Sequence, residues 1–390
     1  MMKGPGSKEL YRRTDRQYTD CLIGEEKMRI LQLMPTLAYG DAVGNDALAI
    51  HRILKNRGYE TKIYAEIIDK RIPQEIADPV CRMETDGDDV IIYHMSTGSG
   101  LNAGFAKMKG RKVMIYHNIT PSRFFKGYNP ALERLCRDGR YALQYLSDEV
   151  DYALADSEYN AGELRTLKYK CPVDVMPILL SFEDYEREAC AGAEKEYRDG
   201  KTNVIFTGRI APNKKQEDVI DAFYHYQKYY NEESRLILLG SYFNMETYYE
   251  RLKDYVGRLG VKNVVFTGHV SFEEMLCCYR AADLFLCMSE HEGFCVPLVE
   301  AMYFHIPIVA YDSSAIGHTL GGSGILLKDK NPLEAAGVMD RILKDEALRK
   351  QILAGQDRRL RDFGKERTER LFMEKIEGFL KDEGLLKNEG

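Results

Sequence analysis

The sequence predicts an α/β protein of two doubly wound parallel sheets that face a central cleft, followed by C-terminal helices. A chain of 390 residues is long enough for two such domains. Short apolar runs of strand length alternate with helical segments, as in parallel sheets covered by helices. One acidic, irregular stretch interrupts this alternation, which then restarts. The predicted division is an N-terminal extension at 1–27, a first Rossmann-like domain at 28–180, a linker at 181–200, a second Rossmann-like domain at 201–355, and C-terminal helices at 356–390 that pack back on the first domain.

Short apolar runs predict five strands in the first half. They are Met28–Met34, Thr61–Glu66, Val90–His94, Val113–His117 and Tyr152–Ala155. A helix is predicted between the first two strands, from about Asn45 to Arg57, because Gly58 is a typical helix-ending residue.

Six further runs predict the strands of the second half. They are Asn203–Thr207, Leu236–Leu239, Val264–Thr267, Leu284–Met288, Ile308–Tyr311 and Ile325–Leu327. From Leu333 to Leu380 the pattern is helical. Open parallel sheets bind ligands in the crevice at the carboxyl ends of their strands. Each loop considered below as a ligand site follows a predicted strand, so we expect these loops to meet at one cleft.

The composition is that of an ordinary globular protein, with 44% apolar and 30% charged residues. No apolar run approaches the roughly 20 residues that span a membrane, and residues 1–27 lack the apolar core of a signal peptide. We therefore expect a cytoplasmic protein. Its nine cysteines show no metal-ligand spacing and are expected to be reduced thiols, mostly in the core. The net charge of −6 argues against nucleic acid as a partner.

A group of basic side chains lies in the first domain. These are Arg111, Lys112, Arg123, Lys126, Arg134, Arg137 and Arg140. They would suit an anionic acceptor or the inner face of a membrane, with peripheral membrane contact as the consequence. A solvated helix face explains the same residues, so both interpretations stay open.

The most informative segment is Glu292-Gly293-Phe294-Cys295-Val296-Pro297-Leu298-Val299-Glu300. It follows a predicted buried strand, and Pro297 suits the first position of a helix because that position needs no N–H. Glu292 would then lie on the loop and Glu300 in the first helical turn. The free N–H groups of a helix N-terminus favour a phosphate or diphosphate, and ionised carboxylates accept hydrogen bonds from sugar or ribose hydroxyls. For Glu300 alone, attraction to the helix dipole is a sufficient explanation.

Two loops of the first half carry further polar groups. Gly40-Asp41-Ala42-Val43-Gly44-Asn45-Asp46 follows the first strand; its glycines would let the backbone approach a ligand, and Asn45 or Asp46 would cap the next helix. A structural turn is an equally good explanation. His117 and His94 end neighbouring strands, where an imidazole lifted into the cleft can donate to a sugar oxygen or a developing charge. The alternative for both is a structural role.

The second half opens with Thr207-Gly208-Arg209-Ile210-Ala211-Pro212-Asn213-Lys214-Lys215. Arg209 leaves the strand end, and Lys214 begins the next helix. A planar guanidinium and a compact ammonium that converge suit the oxygens of a leaving diphosphate. Because Arg and Lys are common on loops, this pair alone is only suggestive.

Together these segments resemble the retaining glycosyltransferases of family 4, which have the GT-B fold. The resemblance covers nearly the whole chain and is strongest over Phe206–Lys214 and Ala282–Ala301. Glu292 and Glu300 match the E-x7-E motif of that family. Phe266-Thr267-Gly268-His269-Val270 is similar to its nucleotide-base segment.

The early glycine-containing loop and His117-Asn118-Ile119-Thr120-Pro121 resemble a bacterial branch that assembles polysaccharides. The donor contacts that the resemblance implies come from Gly44, Arg209, Lys214, Val270, Glu292, Gly293, Phe294, Cys295, Val296 and Glu300. Catalysis would involve His117, Arg209, Lys214 and Glu292, and the acceptor side would involve Asp41, Asn45, His94 and Asn118. Arg209 and Lys214 would bind the diphosphate, Glu300 the ribose and Glu292 a sugar hydroxyl. His117 would lie against the sugar near its anomeric carbon.

The resemblance implies transfer of a sugar from a nucleotide-diphosphate donor to a saccharide or lipid-linked saccharide acceptor, with retention of anomeric configuration, in cell-surface polysaccharide or glycoconjugate assembly. The leaving phosphate would deprotonate the acceptor. Two positions depart from the family pattern, because Cys295 and Lys215 stand where glycine is common. Alternatives are a GT-B sugar-nucleotide epimerase, a phosphorylase, or an inactive scaffold that binds a sugar nucleotide.

We expect no cofactor and no metal requirement. Asp86-Gly87-Asp88 spells the D-x-D with which another glycosyltransferase fold holds a divalent cation. It precedes the strand predicted at Val90–His94, however, and therefore lies at the end of the sheet away from the cleft. The cationic side chains and the helix N-terminus already supply positive charge to a leaving group.

Overall fold

The computed structural model describes residues 28–187 and 197–386. The expected N-terminal extension at 1–27, the middle of the expected linker at 188–196 and the last residues, 387–390, lie outside the described residues. Two parallel sheets of seven and six strands form the described chain, so the predicted α/β class with two doubly wound domains is confirmed.

The first sheet has seven parallel strands in the order β3-β2-β1-β4-β5-β6-β7. They are β1 (Arg29–Leu37), β2 (Glu60–Ile68), β3 (Ala77–Pro79), β4 (Val90–Met95), β5 (Arg111–Tyr116), β6 (Tyr152–Ala155) and β7 (Val173–Val175). The helices of this domain are α1 (Ala42–Arg57), α2 (Leu101–Ala106), α3 (Pro130–Tyr145) and α4 (Glu158–Thr166). The two strands that were not predicted, β3 and β7, have three residues each and form the sheet edges, so they are too short to produce a sequence pattern.

Both faces of the first sheet are covered by apolar side chains. Along β4, Val90 and Ile92 enter one apolar cluster while Ile91 and Tyr93 enter another. Successive side chains of a strand point to opposite faces, and a parallel sheet buried on both faces therefore has continuous apolar strands. This is the reason why short unbroken apolar runs located the strands.

The second sheet has six parallel strands in the order β10-β9-β8-β11-β12-β13. They are β8 (Thr202–Thr207), β9 (Ser234–Leu239), β10 (Val264–Gly268), β11 (Leu284–Cys287), β12 (Ile308–Tyr311) and β13 (Ile325–Leu327). The helices are α5 (Gln216–Tyr229), α6 (Glu246–Leu259), α7 (Phe272–Arg280), α8 (Val296–Tyr303), α9 (Ile316–Leu320), α10 (Pro332–Lys344) and α11 (Glu346–Leu360). Short 3₁₀ helices occur at Val80–Arg82, Ser122–Phe125, Leu146–Asp148, Phe182–Glu186, Pro212–Lys214 and Arg361–Phe363.

The last helix, α12 (Lys365–Asp382), returns to the first domain. Phe372, Ile376 and Leu380 are buried in the apolar cluster that contains Ile30 of β1. Full burial of one such side chain contributes about 1.5–3 kcal/mol. The helix therefore connects the two domains a second time, in addition to the segment after residue 180.

The strand order of each sheet reverses at one place, between β1 and β4 in the first sheet and between β8 and β11 in the second. Ligands of open α/β sheets bind at the carboxyl ends of the strands at such a switch point. Leu284 of β11 pairs with Val204 of β8, so the loops that leave these two strands start side by side. The segment with Asp86 lies at the opposite end of the first sheet, as predicted, where Asp86 and Asp89 receive hydrogen bonds from Arg29.

Among residues 28–187 and 197–386, no helix combines the length and the apolar character that a bilayer crossing requires.

Candidate functional site

The loop between β11 and α8 presents backbone donors at a helix N-terminus. Cys295 is the residue before the helix and has a left-handed conformation, with φ 73° and ψ 67°. Among the described residues, the N–H groups of Gly293, Phe294 and Cys295 donate to no acceptor. Unpaired N–H groups at the positive end of a helix dipole form a site for an anion.

The helix starts one residue earlier than predicted. Val296 is its first residue, so Pro297 occupies the second position and Glu300 the fifth, beyond the first turn. The left-handed turn at Cys295 reverses the chain within one residue and lets the helix begin at once. Glu300 therefore lies deeper along α8 than the sequence indicated.

Lys214 and Glu292 form an ion pair at the switch point of the second sheet. Lys214 Nζ donates to Glu292 Oε2 at 2.6 Å. Lys214 ends the 3₁₀ helix Pro212–Lys214 and does not begin α5, because Lys215 adopts a left-handed turn with φ 53° before that helix. Burial lowers the pKa of Lys214, but the charge of Glu292, its hydrogen bond and the neighbouring Cys295 and Cys287 together offset burial and raise the pKa above 10.5. The ammonium therefore stays charged near neutral pH.

Glu292 itself is 7% exposed. Its second carboxylate oxygen, Oε1, accepts no hydrogen bond from the residues that the structure describes. Lys214 Nζ likewise has two further N–H groups, because its described hydrogen bonds use only one of three. Both members of the pair can thus bind a ligand without separating.

Arg209 leaves β8 and is exposed. Its guanidinium makes one long hydrogen bond, 3.5 Å to the carbonyl of Phe243, and no ion pair with a described carboxylate. Its charge nevertheless opposes the rise in the pKa of Asp41, a residue of the first domain whose pKa is raised by burial. Arg209 therefore faces the other domain across the cleft.

Glu300 is held by two tyrosines that the sequence did not indicate. Tyr279 donates to its Oε2 at 2.6 Å, and Tyr185 donates to its Oε1 at 3.0 Å. Burial raises the pKa of Glu300, and the two hydrogen bonds act in the opposite direction. Tyr185 belongs to the 3₁₀ helix Phe182–Glu186, within the expected linker, so this segment reaches into the second domain.

The first domain contacts the same loop directly. Ser157 Oγ donates to the carbonyl of Gly293 at 2.6 Å, and His291 Nε2 donates to Asn118 Oδ1 at 2.6 Å. A Cβ on Gly293 would lie 2.5 Å from the Cβ of Asn118 and 2.9 Å from the carbonyl oxygen of His117. Only glycine permits this approach of the two domains, which is the structural reason for Gly293.

A row of hydrogen-bonded side chains runs from the cleft into the first sheet. His117 Nδ1 lies 3.0 Å from Asp156 Oδ2, and its Nε2 lies 2.9 Å from His94 Nδ1. His94 Nε2 lies 2.9 Å from Gln32 Oε1. Burial lowers the pKa of His117, but Asp156, Asp46 and Asp41 together raise this pKa overall, whereas burial lowers the pKa of His94. We therefore assign a cationic His117 that donates to Asp156 and to a neutral His94.

This row corrects the prediction that both imidazoles are lifted into the cleft. His94 is fully buried, and the His117 side chain is 1% exposed. Interior partners satisfy both ring nitrogens of each histidine, which stabilises buried polar side chains. Neither ring faces the cleft in this arrangement, so contact with an acceptor or a donor sugar would require a side-chain rotation.

Other predicted residues of the first domain have varied positions. Gly44 lies in the first turn of α1, where a Cβ would be 2.1 Å from the carbonyl oxygen of Ala38, so tight packing already explains this glycine. Asp41 precedes the helix, which corrects the predicted cap at Asn45 or Asp46. Gly44 permits the earlier start, because its small size lets the first turn pack against the preceding loop. Asn45 is exposed and accepts a hydrogen bond from the backbone of Gly40.

Both polar atoms of the Asn118 side chain are already used, because Oδ1 accepts from His291 of the second domain and Nδ2 donates to Asn160 Oδ1 at 2.8 Å.

In the second domain, Val270 is half-buried just before α7, and Val296 is half-buried as the first residue of α8. Phe294 is buried edge-on against Phe363, with ring centroids 5.5 Å apart. Its side chain supports the loop and leaves only its backbone for a ligand.

A cavity of about 300 Å³ lies between the domains beside this site. It is lined by Arg123, Phe124, Lys126, Tyr128, Pro212, Lys215, Glu217, Arg251 and Glu290. Of the basic group singled out in the sequence, only Arg123 and Lys126 line the cavity, whereas Arg111 and Arg140 form ion pairs with Glu383 and Glu163. Arg123 and Lys126 are therefore the members of the basic group that can contact a ligand in this cavity.

Sequence reasoning missed several site residues. Ser157 could have been found, because it follows a predicted strand and caps α4 through its side chain. His291 adjoins Glu292 in the segment that fits the family pattern, but its contact with Asn118 could not be predicted. Tyr185 and Tyr279 carried no signal, since their roles depend on contacts between distant segments.

Part of the chain is similar in sequence to known proteins. Residues 193–356 match the family described as glycosyl transferases group 1. An uncharacterized glycosyltransferase of Methanocaldococcus jannaschii, MJ1069, is 28% identical over 261 residues, which cover 63% of this chain and 63% of that protein. A D-inositol 3-phosphate glycosyltransferase of Jonesia denitrificans is 26% identical over 226 residues, 54% of this chain and 53% of that protein. The chain thus spans less than two thirds of the length of each of these two relatives.

Solved structures share the whole architecture. Anabaena Alr3699/HepE, in complex with UDP and glucose, has a TM-score of 0.68 at 18% identity and covers 90% of this chain and 100% of its own. Sucrose-phosphate synthase from Thermosynechococcus elongatus has a TM-score of 0.69 at 16% identity, and the match covers 91% of this chain and 100% of the synthase chain. These likenesses establish the fold. The chain therefore has the GT-B fold, and its residues 193–356 are similar to the glycosyl transferases group 1.

Proposed function

We propose that this protein is a retaining glycosyltransferase that moves a sugar from a nucleotide-diphosphate donor to an acceptor. One observation carries the proposal. Among the described residues, the N–H groups of 293–295 donate to no acceptor, and they follow Glu292, whose Oε1 accepts no hydrogen bond and whose Oε2 pairs with the Lys214 ammonium at the switch point of the second sheet. Such a site offers positive charge for phosphates beside an acceptor for a hydroxyl, which is the chemistry of a sugar nucleotide.

The diphosphate would bind at the start of α8. Its oxygens would accept from the backbone of Gly293 to Cys295 and from the free N–H groups of Lys214, with Arg209 approaching from the exposed side. Glu292 Oε1 would accept a hydrogen bond from a hydroxyl of the donor sugar. Charge accumulates on the diphosphate as its bond to the sugar breaks, so these donors stabilise the transition state more than the ground state.

In the proposed reaction, the bond between the anomeric carbon and the leaving phosphate oxygen breaks, and the acceptor oxygen bonds to that carbon on the same face. The acceptor proton passes to the leaving phosphate. No carboxylate of the site needs to act as nucleophile, since Glu292 is already paired with Lys214 and Glu300 with two tyrosines. Retention then depends on holding the acceptor beside the leaving group.

In this proposal His117 does not contact the substrates directly. Its ring is hydrogen-bonded to Asp156 and His94, its backbone carbonyl lies against Gly293, and its charge is buried close to the cleft. We therefore assign it a positioning role for the loop at Gly293, in place of the direct sugar contact that the resemblance implied.

The ribose of the donor would bind at Glu300 Oε1, where it shares this oxygen with the hydroxyl of Tyr185 or replaces that hydroxyl, while Tyr279 stays on Oε2. That hydroxyl already donates to Oε1 in a buried environment. Donor binding is thus coupled to the segment Phe182–Glu186, which connects the two domains.

The acceptor would be a saccharide or a lipid-linked saccharide, used in cell-surface polysaccharide or glycoconjugate assembly in the cytoplasm. The cavity between the domains, with Arg123, Lys126 and Arg251 on its wall, would accommodate an acceptor that bears an anionic group. An acceptor there lies beside Lys215 and Glu290, close in sequence to the proposed donor residues.

The test begins with thermal unfolding in the presence of UDP-, GDP-, ADP- and dTDP-sugars. A ligand that binds only the folded state raises the melting temperature, and UDP-glucose comes first because Anabaena HepE is known in complex with it. We expect one nucleotide class to raise the melting temperature, and slow release of sugar from that donor without acceptor. Nuclear magnetic resonance of the product with an acceptor would then report the anomeric configuration.

Other outcomes identify the alternatives. Donor binding without release or transfer would indicate an inactive scaffold, and interconversion of two sugar nucleotides would indicate an epimerase. Absorbance from bound pyridoxal phosphate would indicate a phosphorylase. Inverted product would refute the retaining mechanism.

A further inference from the structure

We propose that Cys287, Cys295 and Glu292 form a binding site for a thiophilic divalent ion such as Zn²⁺, and that occupation of this site blocks the donor site. The binding of the ion does not depend on the proposed function. Only the inhibition rests on it.

The three residues present one ligand atom each, and these atoms all lie within 4.8 Å of one another. Cys287 is the last residue of β11 and Cys295 is the residue before α8, so the loop between them brings its two ends together. Two thiolates and a carboxylate are ligand types that Zn²⁺ prefers. Three protein ligands leave the fourth tetrahedral position for water or a phosphate oxygen.

A thiolate is the form of cysteine that binds metals, so binding of the ion would release the proton of each thiol.

A second cluster among the described residues, Asp46 with His94 and His117, is a weaker candidate. Both ring nitrogens of each histidine already take part in hydrogen bonds. A metal there would have to break this row. Binding at the cysteine site breaks the contact between the two sulfurs and the ion pair between Glu292 and Lys214.

The ion must compete with Lys214 for Glu292. Lys214 Nζ lies 2.6 Å from Glu292 Oε2, and a divalent cation bound to the same carboxylate would repel the ammonium. The bound ion would therefore separate the pair and withdraw Glu292 from the donor sugar. Ion binding and donor turnover are mutually exclusive for this reason.

The experiment uses the full chain, reduced with a phosphine and titrated with Co²⁺ as a spectroscopic probe for Zn²⁺. We expect one Co²⁺ per chain, a sulfur-to-cobalt charge-transfer band, the visible bands of a tetrahedral site, and displacement by Zn²⁺. Cys287→Ser and Cys295→Ser should each weaken binding by at least about 100-fold, since loss of even an outer partner of a ligand costs 10- to 100-fold. Cys81→Ser removes an exposed thiol outside the site and should change nothing.

Lys214→Gln should change the affinity for Co²⁺ in the opposite direction to the cysteine variants. Removal of the ammonium frees Glu292, so Co²⁺ should bind more tightly, by roughly tenfold for each 1.4 kcal/mol of competition removed, while turnover falls. Circular dichroism without metal would verify that each variant is folded. Absence of the charge-transfer band in the wild type would overturn the proposal, as would a band that persists in both cysteine variants.

The two proposals can fail separately. A Co²⁺ site in a protein that transfers no sugar would leave the metal site intact and refute the proposed function. Full transferase activity in Zn²⁺, in a protein whose Co²⁺ site has been verified, would refute the inhibition.

Discussion

Tyr185→Phe tests the link between the connecting segment and the proposed ribose site. The change removes only the hydroxyl that donates to Glu300 Oε1 at 3.0 Å, and it keeps the ring among Phe182, Phe272 and Tyr303. A hydrogen bond to a charged group contributes about 1.5–3 kcal/mol. In a domain of this size, 1 kcal/mol corresponds to about 2–4 °C in melting temperature. If the free energy of unfolding falls by about 2 kcal/mol, the melting temperature of the second domain should therefore decrease by roughly 4–8 °C.

The assay is thermal unfolding with and without the nucleotide that the screen identifies. In the wild type a ribose hydroxyl must share Glu300 with Tyr185, whereas in the variant it restores a missing donor. The nucleotide should therefore raise the melting temperature by more in Tyr185→Phe than in the wild type. Tyr303→Phe is the matched control, because its ring centroid lies 5.2 Å from that of Tyr185 and its hydroxyl has no hydrogen-bond partner among the described residues. We expect the control to stay within about 0.5 kcal/mol of the wild type.

Two results would refute this reasoning. An unchanged melting temperature in Tyr185→Phe would show that the hydrogen bond to Glu300 contributes nothing to stability. A smaller nucleotide effect in the variant than in the wild type would show that Tyr185 assists nucleotide binding and does not compete with ribose.

The remaining predictions concern the diphosphate site, metals and pH. Glu292→Gln should reduce turnover by roughly 10²–10³-fold with nucleotide affinity nearly intact; loss of free-nucleotide binding would contradict its contact with the sugar. Arg209→Ala and Lys214→Ala should each lower turnover more than donor binding, with effects that do not add because both act on one group; altered affinity at unchanged turnover would contradict a catalytic role. Activity should survive EDTA, and abolition by EDTA with recovery in Mg²⁺ or Mn²⁺ would overturn the proposed site. Burial raises the pKa of Asp46 from 3.8 to about 7, so the folded state binds the carboxyl proton more tightly than the unfolded state. The free energy of unfolding should therefore fall as pH rises between these two values. Urea unfolding of Asp46→Asn should lack this pH dependence.

The sequence by itself determined the strands and the loops that leave them. Unbroken apolar runs such as Leu284–Cys287 identify strands because a parallel sheet is buried on both faces. The carboxyl ends of parallel strands lie on one side, so residues after two such runs, Arg209 and Glu292, could be assigned to one cleft without knowledge of the strand order. Cys295 and Lys215, which stand where glycine is common, both have positive φ in the structure. Backbone requirements of this kind are local and leave a trace in the sequence.

Only the tertiary structure decided which side chains meet. Lys214 and Glu292 are 78 residues apart, and they pair because β8 lies next to β11, an order that no local pattern encodes. Tyr185 reaches Glu300 from the connecting segment across 115 residues. His94, expected in the cleft, points inward because Gln32 and His117 offer interior partners. The direction of a side chain is set by the packing of distant segments around it, and periodicity and spacing contain no information about those segments.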